Sequence, residues 1–268
     1  MRIIELEQNP FHYLPFINAA RGGGIIPDVL PLIAGRAEGL PSHIQALVIT
    51  SDLQGVASLD GHESPLVLLG IRLAHELRKL AELGQLPSPE KTGVILAGDL
   101  YSAPAGDVRG ASGDVREVWT TFAEHFRWVT GVSGNHDRFG TAEEQAALEA
   151  IPHLSLLDGS VVDHDGLCIG GVGCVIGDPN RAGRRSEEDF LETLANVLNQ
   201  SPDLLVLHQG PEGAPSQRGN REIGEIIDLE PPPLVVCGHL HWSEPLADRK
   251  NTQILNVDKW AIILRPTE

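Results

Sequence analysis

The sequence predicts an α/β domain, and three observations support it. Short apolar runs rich in Val, Ile and Leu alternate with segments whose leucines recur near helical spacing, the pattern of strands joined by helices. Five of the apolar runs end in residues of metal-ligating type, with glycine beside them. Gly 29 and Pro 19 leave room for many loops at strand ends. A chain of 268 residues accommodates one large domain or two small ones, and a hydrophobic fraction of 41% is compatible with a substantial core.

Residues 1–44 are expected to form an ordered arm packed on a main domain of residues 45–268. Pro10, Pro15, Pro27, Pro31 and Pro41, with the run Gly22-Gly23-Gly24, argue against long helices there, so short helical turns are expected. A cap, or a dimer contact that would make a homo-oligomer, is a further use for such an arm. Ala46 to Thr50 reads as a buried strand, and the leucines from Leu66 to Leu83 as a helix stopped by Gly84. Gly93 to Ala97 is a second strand, Ser102 to Gly113 a loop, and Asp114 to Phe126 a helix leading to a third strand at Trp128 to Val132. Thr141-Ala142-Glu143-Glu144 has the capping-box spacing that opens a helix. Asp165-Gly166 is expected to turn a hairpin between Ser160–His164 and Leu167–Val175. Ser186 begins a further helix, Leu204 to Leu207 and Leu234 to Cys237 are strands, and 253–257 with 260–264 are expected to close the chain as an antiparallel pair.

The formal net charge of −17 repels nucleic-acid phosphate and disfavours a nonspecific DNA- or RNA-binding role. Cys168, Cys174 and Cys237 sit in apolar runs without disulfide or zinc spacing, as reduced thiols do. Glu5 and Glu7 break any signal-peptide pattern, and no run is long enough to span a membrane, so a cytoplasmic protein is expected.

The chemistry gathers at the strand ends: Asp52 with Gln54, Asp99, Asn135 with His136, His208, and His239 with His241. Residues i and i+2 of an extended chain point to one side, so Asp52 and Gln54 can address one point, as can His239 and His241. In α/β sheets ligands gather beyond the carboxyl ends of strands. Five such endings are hard to explain by core packing, because buried carboxylates and imidazoles cost free energy unless paired or ligated. His12, His43, His62, His75, His125, His153 and His164 have no such context.

The ordered series Asp52-x-Gln54, Gly98-Asp99, Gly134-Asn135-His136-Asp137, His208 and Gly238-His239-x-His241 resembles the calcineurin-like metallophosphoesterase superfamily, over residues 46 to about 265. The resemblance implies a four-layer α/β/β/α sandwich with two mixed β-sheets and a dinuclear metal centre. Asp52, Gln54, Asp99 and His241 would then hold one divalent ion. Asp99, Asn135, His208 and His239 would hold the second, with Asp99 bridging. His136, oriented by Asp137, would be the proton donor to the leaving group or a transition-state stabiliser, roles suited to imidazole. Two cations sharing a carboxylate clamp a phosphoryl group and activate a bridging water as nucleophile.

The sequence departs from the superfamily pattern at Gln54, where Asp-x-His is usual. A neutral amide oxygen favours oxygen-preferring metals, so Mn²⁺ is expected before Fe, Zn²⁺ or Mg²⁺. Leu100-Tyr101-Ser102 after Asp99, and the lack of an arginine before Gly134, argue against a protein serine/threonine phosphatase. Arg138, Arg181, Arg184, Arg185, Arg218 and Arg221 are candidate phosphate ligands, with Arg138, Arg184 and Arg221 preferred. Tyr101 and Trp242 are candidates for a pocket wall or the core, and Trp119 and Trp128 for the core. The expected activity is hydrolysis of a phosphorylated small molecule or nucleotide, as a phosphomonoesterase or phosphodiesterase. The alternatives are a nuclease of the same superfamily, or a noncatalytic scaffold of this fold that binds a partner, which Gln54 alone favours.

Overall fold

A computed structural model describes residues 1–59 and 64–267; His62 lies outside the described residues. The described chain is built on two mixed β-sheets. The larger runs in the order Leu154–Leu156, Trp128–Gly131, Thr92–Leu96, Ala46–Thr50, Ala261–Pro266, Ile25–Glu38, His12–Ala19, Val56–Ser58, Leu66–Leu68, with Arg2–Leu6 also paired to Ile25–Glu38. The smaller runs Ser160–His164, Leu167–Val172, Leu204–Gln209, Leu234–Gly238, Thr252–Asn256, Leu246–Arg249.

Alternating side chains assign each face. Val48, Val94 and Val129 join helices Leu69–Glu82 and Arg116–His125 in one apolar cluster. Leu47, Ile49 and Ile95 turn the other way and meet Leu204, Val206, Leu234 and Val236 of the smaller sheet in a second cluster. Leu205, Leu207 and Val235 point away from that shared cluster and pack on helices Glu187–Leu198 and Arg221–Ile227. The two-residue period of a strand thus serves both faces of each sheet with apolar residues, which explains why these runs read as continuously hydrophobic.

Local signals act as their chemistry requires. Thr141 Oγ1 accepts from the Glu144 backbone N–H, and the Glu144 carboxylate accepts from that of Thr141, closing the capping box of helix Ala142–Glu149. Asp165 and Gly166 adopt φ 59° and 90°, the left-handed pair that a tight antiparallel hairpin needs, and join Ser160–His164 to Leu167–Val172. The helix expected from Leu66 begins at Leu69, because Leu66–Leu68 pairs with Val56–Ser58 as a strand.

Two expectations are corrected. The N-terminal segment forms three strands, Arg2–Leu6, His12–Ala19 and Ile25–Glu38, in place of the expected short helical turns. Pro15, Pro27 and Pro31 fall at ladder positions Pro15↔Val29, Ile17↔Pro27 and Tyr13↔Pro31, all of one parity. Alternate positions of an antiparallel ladder exchange no hydrogen bonds, so prolines confined to one parity can be carried without breaking it. The last two strands do not pair with each other. Thr252–Asn256 belongs to the smaller sheet, and Ala261–Pro266 lies between Ala46–Thr50 and Ile25–Glu38 in the larger. Leu255 and Val257 face Ile262 and Leu264 within the shared core. Stacking across the sheets buries both apolar faces at once, whereas a lateral pair would put them side by side.

The hairpin turn is also pinned electrostatically. The Arg127 guanidinium donates two bonds to Asp165, at 2.6 and 2.7 Å, and Trp128 Nε1 donates a third at 3.0 Å. The Arg127 bonds hold the Asp165 carboxyl down to about 2, below its ordinary 3.8. A depressed carboxyl stabilises the fold fully above its unfolded value and loses that contribution as pH falls through the folded one. Asp165→Asn keeps a residue tolerant of positive φ, and should lower stability at pH 7 by about 1 kcal/mol after solvent screening. Denaturant unfolding should show the gap narrowing as pH drops from about 4 toward 2.

Candidate metal centre

The metal-type residues of both sheets meet at one place. Asp52 follows strand Ala46–Thr50 and Asp99 follows Thr92–Leu96; His208 ends the apolar part of Leu204–Gln209, and His239 follows Leu234–Gly238. Asp52, Asp99 and His239 adopt φ of 53°, 56° and 69°, a left-handed backbone that non-glycine residues rarely take. Such strained residues cluster where surrounding structure forces a sharp turn. Here each turn falls at the end of a strand that carries a proposed ligand.

Glycine permits the close approach. A Cβ on Gly134 would lie 2.1 Å from Asp99 Oδ1, and one on Gly238 would lie 2.3 Å from Asp52 Oδ2. No side chain fits at either position without displacing the carboxylates.

The ligating atoms of Asp99, His208 and His239 lie within 4.8 Å of one another. His208 Nε2 is 3.4 Å from Asp99 Oδ2, and the His208 and His239 rings meet edge to face at 5.1 Å. His208 Nδ1 lies 2.8 Å from the Ala97 carbonyl, so it serves as donor and leaves Nε2 as the inward atom. His241 makes the same kind of outer contact, Nδ1 to the Asp258 carbonyl at 3.0 Å. Gln54 Nε2 donates to Asp99 Oδ2 at 3.1 Å; ligation by Gln54 would turn its Oε1 inward instead. Asp52 accepts from Ser51 Oγ at 2.7 Å and from the His239 N–H at 3.0 Å.

Three buried atoms of these strand ends lack a hydrogen-bond partner among the described residues: Asn135 Oδ1, His208 Nε2 and Asp258 Oδ1. A buried amide oxygen without a donor is costly, and a cation satisfies it. Burial, then the neighbouring Asp258, pushes the Asp52 carboxyl up to about 8. Burial opposes charge on His208, but Asp99 and Asp52 outweigh it and raise the imidazole to about 10. His239 is depressed to about 4 by burial and by His208, and stays neutral with a lone pair to offer. Carboxylates, imidazoles and an amide oxygen around one buried point suit a divalent cation, which would take the place of the protons that now balance the charge. The residues present therefore fit a divalent metal ion at this cluster.

His136 stands beside this cluster. Its Nε2 is 4.0 Å from Asp99 Oδ2 and its backbone N–H donates to Asp99 Oδ1 at 2.8 Å. Its side-chain partner is Ser112 Oγ, 3.1 Å from Nδ1, and not Asp137 as expected. The short pairing of Gly113–Asp114 with Asp137–Arg138 brings Ser112 there. Asp137 accepts instead from the backbone N–H groups of Leu100 at 2.7 Å and of Asp99 and Gly134 at 2.8 Å each. Burial, reinforced by Asp99, lifts its carboxyl to about 6.

The arginines divide. Arg138 donates to the carbonyls of Asn135 and Asp137 and so braces the loop. Arg184, half-buried, acts electrostatically on His239, and pairing of Val175–Ile176 with Arg184–Arg185 places it there. Arg221 lies on an exposed helix face and pairs with Glu225 at 2.9 Å. Arg185 is held by Asp158 and Asp189. Tyr101 lines a cavity beside Gln54, whereas Trp242 is buried and donates to the Arg218 carbonyl at 2.7 Å. Trp119 and Trp128 are in the core.

Sequence reasoning missed Asp258 and Ser112. Asp258 is buried, its Oδ1 has no partner among the described residues, and it raises Asp52 electrostatically. Its signal was present: a carboxylate one residue past an apolar run, as at the other strand ends. Ser112 sits in a Gly- and Pro-rich loop and carried no signal.

The family described as calcineurin-like phosphoesterase matches residues 46–243. No curated protein matches the chain. Among solved structures, TT1561 of Thermus thermophilus superposes with a TM-score of 0.54 at 16% identity, covering 81% of this chain and 90% of that one. A second crystal structure superposes with a TM-score of 0.56 at 12% identity, covering 82% and 91%. These likenesses concern the fold alone. On the family match across more than half its length, the chain belongs to the calcineurin-like phosphoesterase family.

Proposed function

We propose that this protein is a hydrolase of phosphorylated small molecules, working with two divalent cations, Mn²⁺ foremost. Asp52, Gln54, Asp99 and His241 would hold one ion, and Asp99, Asn135, His208 and His239 the other. The observation that carries the reading is the cluster in which the ligating atoms of Asp99, His208 and His239 lie within 4.8 Å of one another, with Asn135 Oδ1 buried and without a donor among the described residues. When bound, the ions would supply Lewis-acid stabilisation of the phosphoryl oxygens and an activated water at neutral pH. In hydrolysis the bond from phosphorus to the leaving oxygen breaks as a bond to the oxygen of water forms. His136, held at Nδ1 by Ser112, offers Nε2 to protonate the leaving oxygen. Asp137 keeps the two ligand-bearing loops together, and Arg184, which acts electrostatically on His239, would bind a substrate oxygen. The three free cysteines support a reducing, cytoplasmic location.

Asn135→Ala and His239→Ala should each lower retained metal and kcat/KM by more than the roughly 10- to 100-fold that loss of an outer-sphere partner costs. Metal analysis after Mn²⁺ loading and dialysis, with hydrolysis of bis-p-nitrophenyl phosphate, is the measurement. Two variants that retain both metal and turnover would remove the assignment.

His136→Ala should separate substrates by leaving group. An alkyl phosphate needs a proton on its leaving oxygen and should slow by about 10²- to 10⁴-fold, the range for a lost general acid. A p-nitrophenyl ester leaves as a stable anion and should slow much less. Equal slowing of both classes would assign His136 to another role.

A further inference from the structure

We infer that the cavity beside Gln54 binds a second anionic group on the substrate, carried by its leaving half. Its volume of about 460 Å³ falls within the roughly 300–1,000 Å³ of small-molecule sites. Gln54, which reaches Asp99, and Tyr101 connect it to the metal centre. Its charged lining consists of Arg21, Arg109 and Lys259, and no carboxylate lines it among the described residues. The chain has 37 acidic and 20 basic residues, so a wall with three cations and no acid runs against its composition. Several arginines elsewhere pair with carboxylates, as Arg116, Arg127, Arg185 and Arg249 do. Arg21, Arg109 and Lys259 have no ion pair among the described residues, and all three are exposed. Lys259 acts on the Asp258 carboxyl only at longer range. Unpaired cations around a concave wall focus the field and bind phosphate, with guanidinium groups suited to two oxygens at once.

The geometry also says which half of the substrate enters. The loop that carries Arg109 runs beside His136 and contacts it through Ser112. Ser112 Oγ is 3.1 Å from Nδ1, and a methyl group at Gly110 would lie 3.5 Å from Cε1. If His136 protonates the leaving oxygen, the group attached to that oxygen lies toward this loop. The assignment of the leaving half therefore rests on the hydrolase reading above. Ile26 and Val108 add apolar wall for the body of that group. Arg21 and Lys259 fall outside the residues that match the family, 46–243. The N-terminal hairpin and the turn after Asp258 thus equip this chain for phosphoesters whose alcohol half bears another phosphate, such as a nucleoside bisphosphate.

Equilibrium binding to the full-length chain in EDTA, where no metal-dependent turnover occurs, tests the anion site directly. The probes are adenosine 5′-monophosphate and adenosine. One charge-assisted phosphate contact corresponds to about tenfold or more in affinity, so the monophosphate should bind at least about tenfold tighter than adenosine. The double variant Arg21→Ala, Arg109→Ala should lose most of that advantage, while Arg21→Lys, Arg109→Lys should retain part of it. Should the double alanine variant fail to fold, the single variants and Lys259→Ala must each reduce the advantage. Equal binding of the monophosphate and adenosine by the wild-type chain, or an advantage that survives the alanine variants, overturns the inference. The same preparation loaded with Mn²⁺ reports on hydrolysis separately: absence of turnover there defeats the hydrolase reading and leaves the binding result to decide the anion site.

Discussion

The candidate centre depends on one buried carboxylate that offers no atom to it. Asp137 accepts backbone N–H bonds from Asp99, Leu100 and Gly134, and so fastens the turn after one strand to the turn after the next. A buried carboxylate is unfavourable unless several donors satisfy it. The three N–H groups do so, although burial still holds its carboxyl near 6. The arrangement converts a desolvation cost into geometry. Asp99 can stay in a left-handed backbone because its own N–H is held, and its Oδ1 accepts the His136 N–H.

Face-to-face stacking of the two sheets supplies the other half of the centre. Asp52, Asp99, Asn135 and His136 come from the larger sheet's strand ends, and His208 and His239 from the smaller sheet's. No hydrogen-bond ladder joins the two groups among the described residues; the apolar cluster shared by Leu47, Ile49, Ile95, Val206 and Val236 does. Close packing makes that register stiff, so ligands on separate sheets can be held within a few ångströms. The outer contacts, Ala97 to His208 and Asp258 to His241, then orient the imidazoles from the neighbouring sheet or turn.

The N-terminal segment enlarges the larger sheet and reaches the cavity beside the centre. Ile25–Glu38 lies between His12–Ala19 and the C-terminal strand Ala261–Pro266, so both chain ends are tied into one sheet. That arrangement puts Arg21 and Lys259, far apart in sequence, on one wall.

The sequence by itself determined the longer strands and helices from Ala46 to Gly238, though not the short strands Val56–Ser58, Leu66–Leu68 and Leu154–Leu156, together with the hairpin at Asp165-Gly166, the capping box at Thr141 and the convergence of polar strand ends. Each rests on local chemistry: side-chain period, a turn that needs positive φ, or a side chain that satisfies nearby N–H groups. Tertiary structure decided the rest. The N-terminal prolines read as breakers of helix, and only the ladder parity revealed how a strand pair carries them. The last two strands looked like a lateral pair until the shared core assigned them to different sheets. Ser112 beside His136, Asp258 beside Asp52, and Arg21, Arg109 and Lys259 around one cavity are contacts between distant segments. No local pattern encodes such meetings, because they follow from how the two sheets and the chain ends pack.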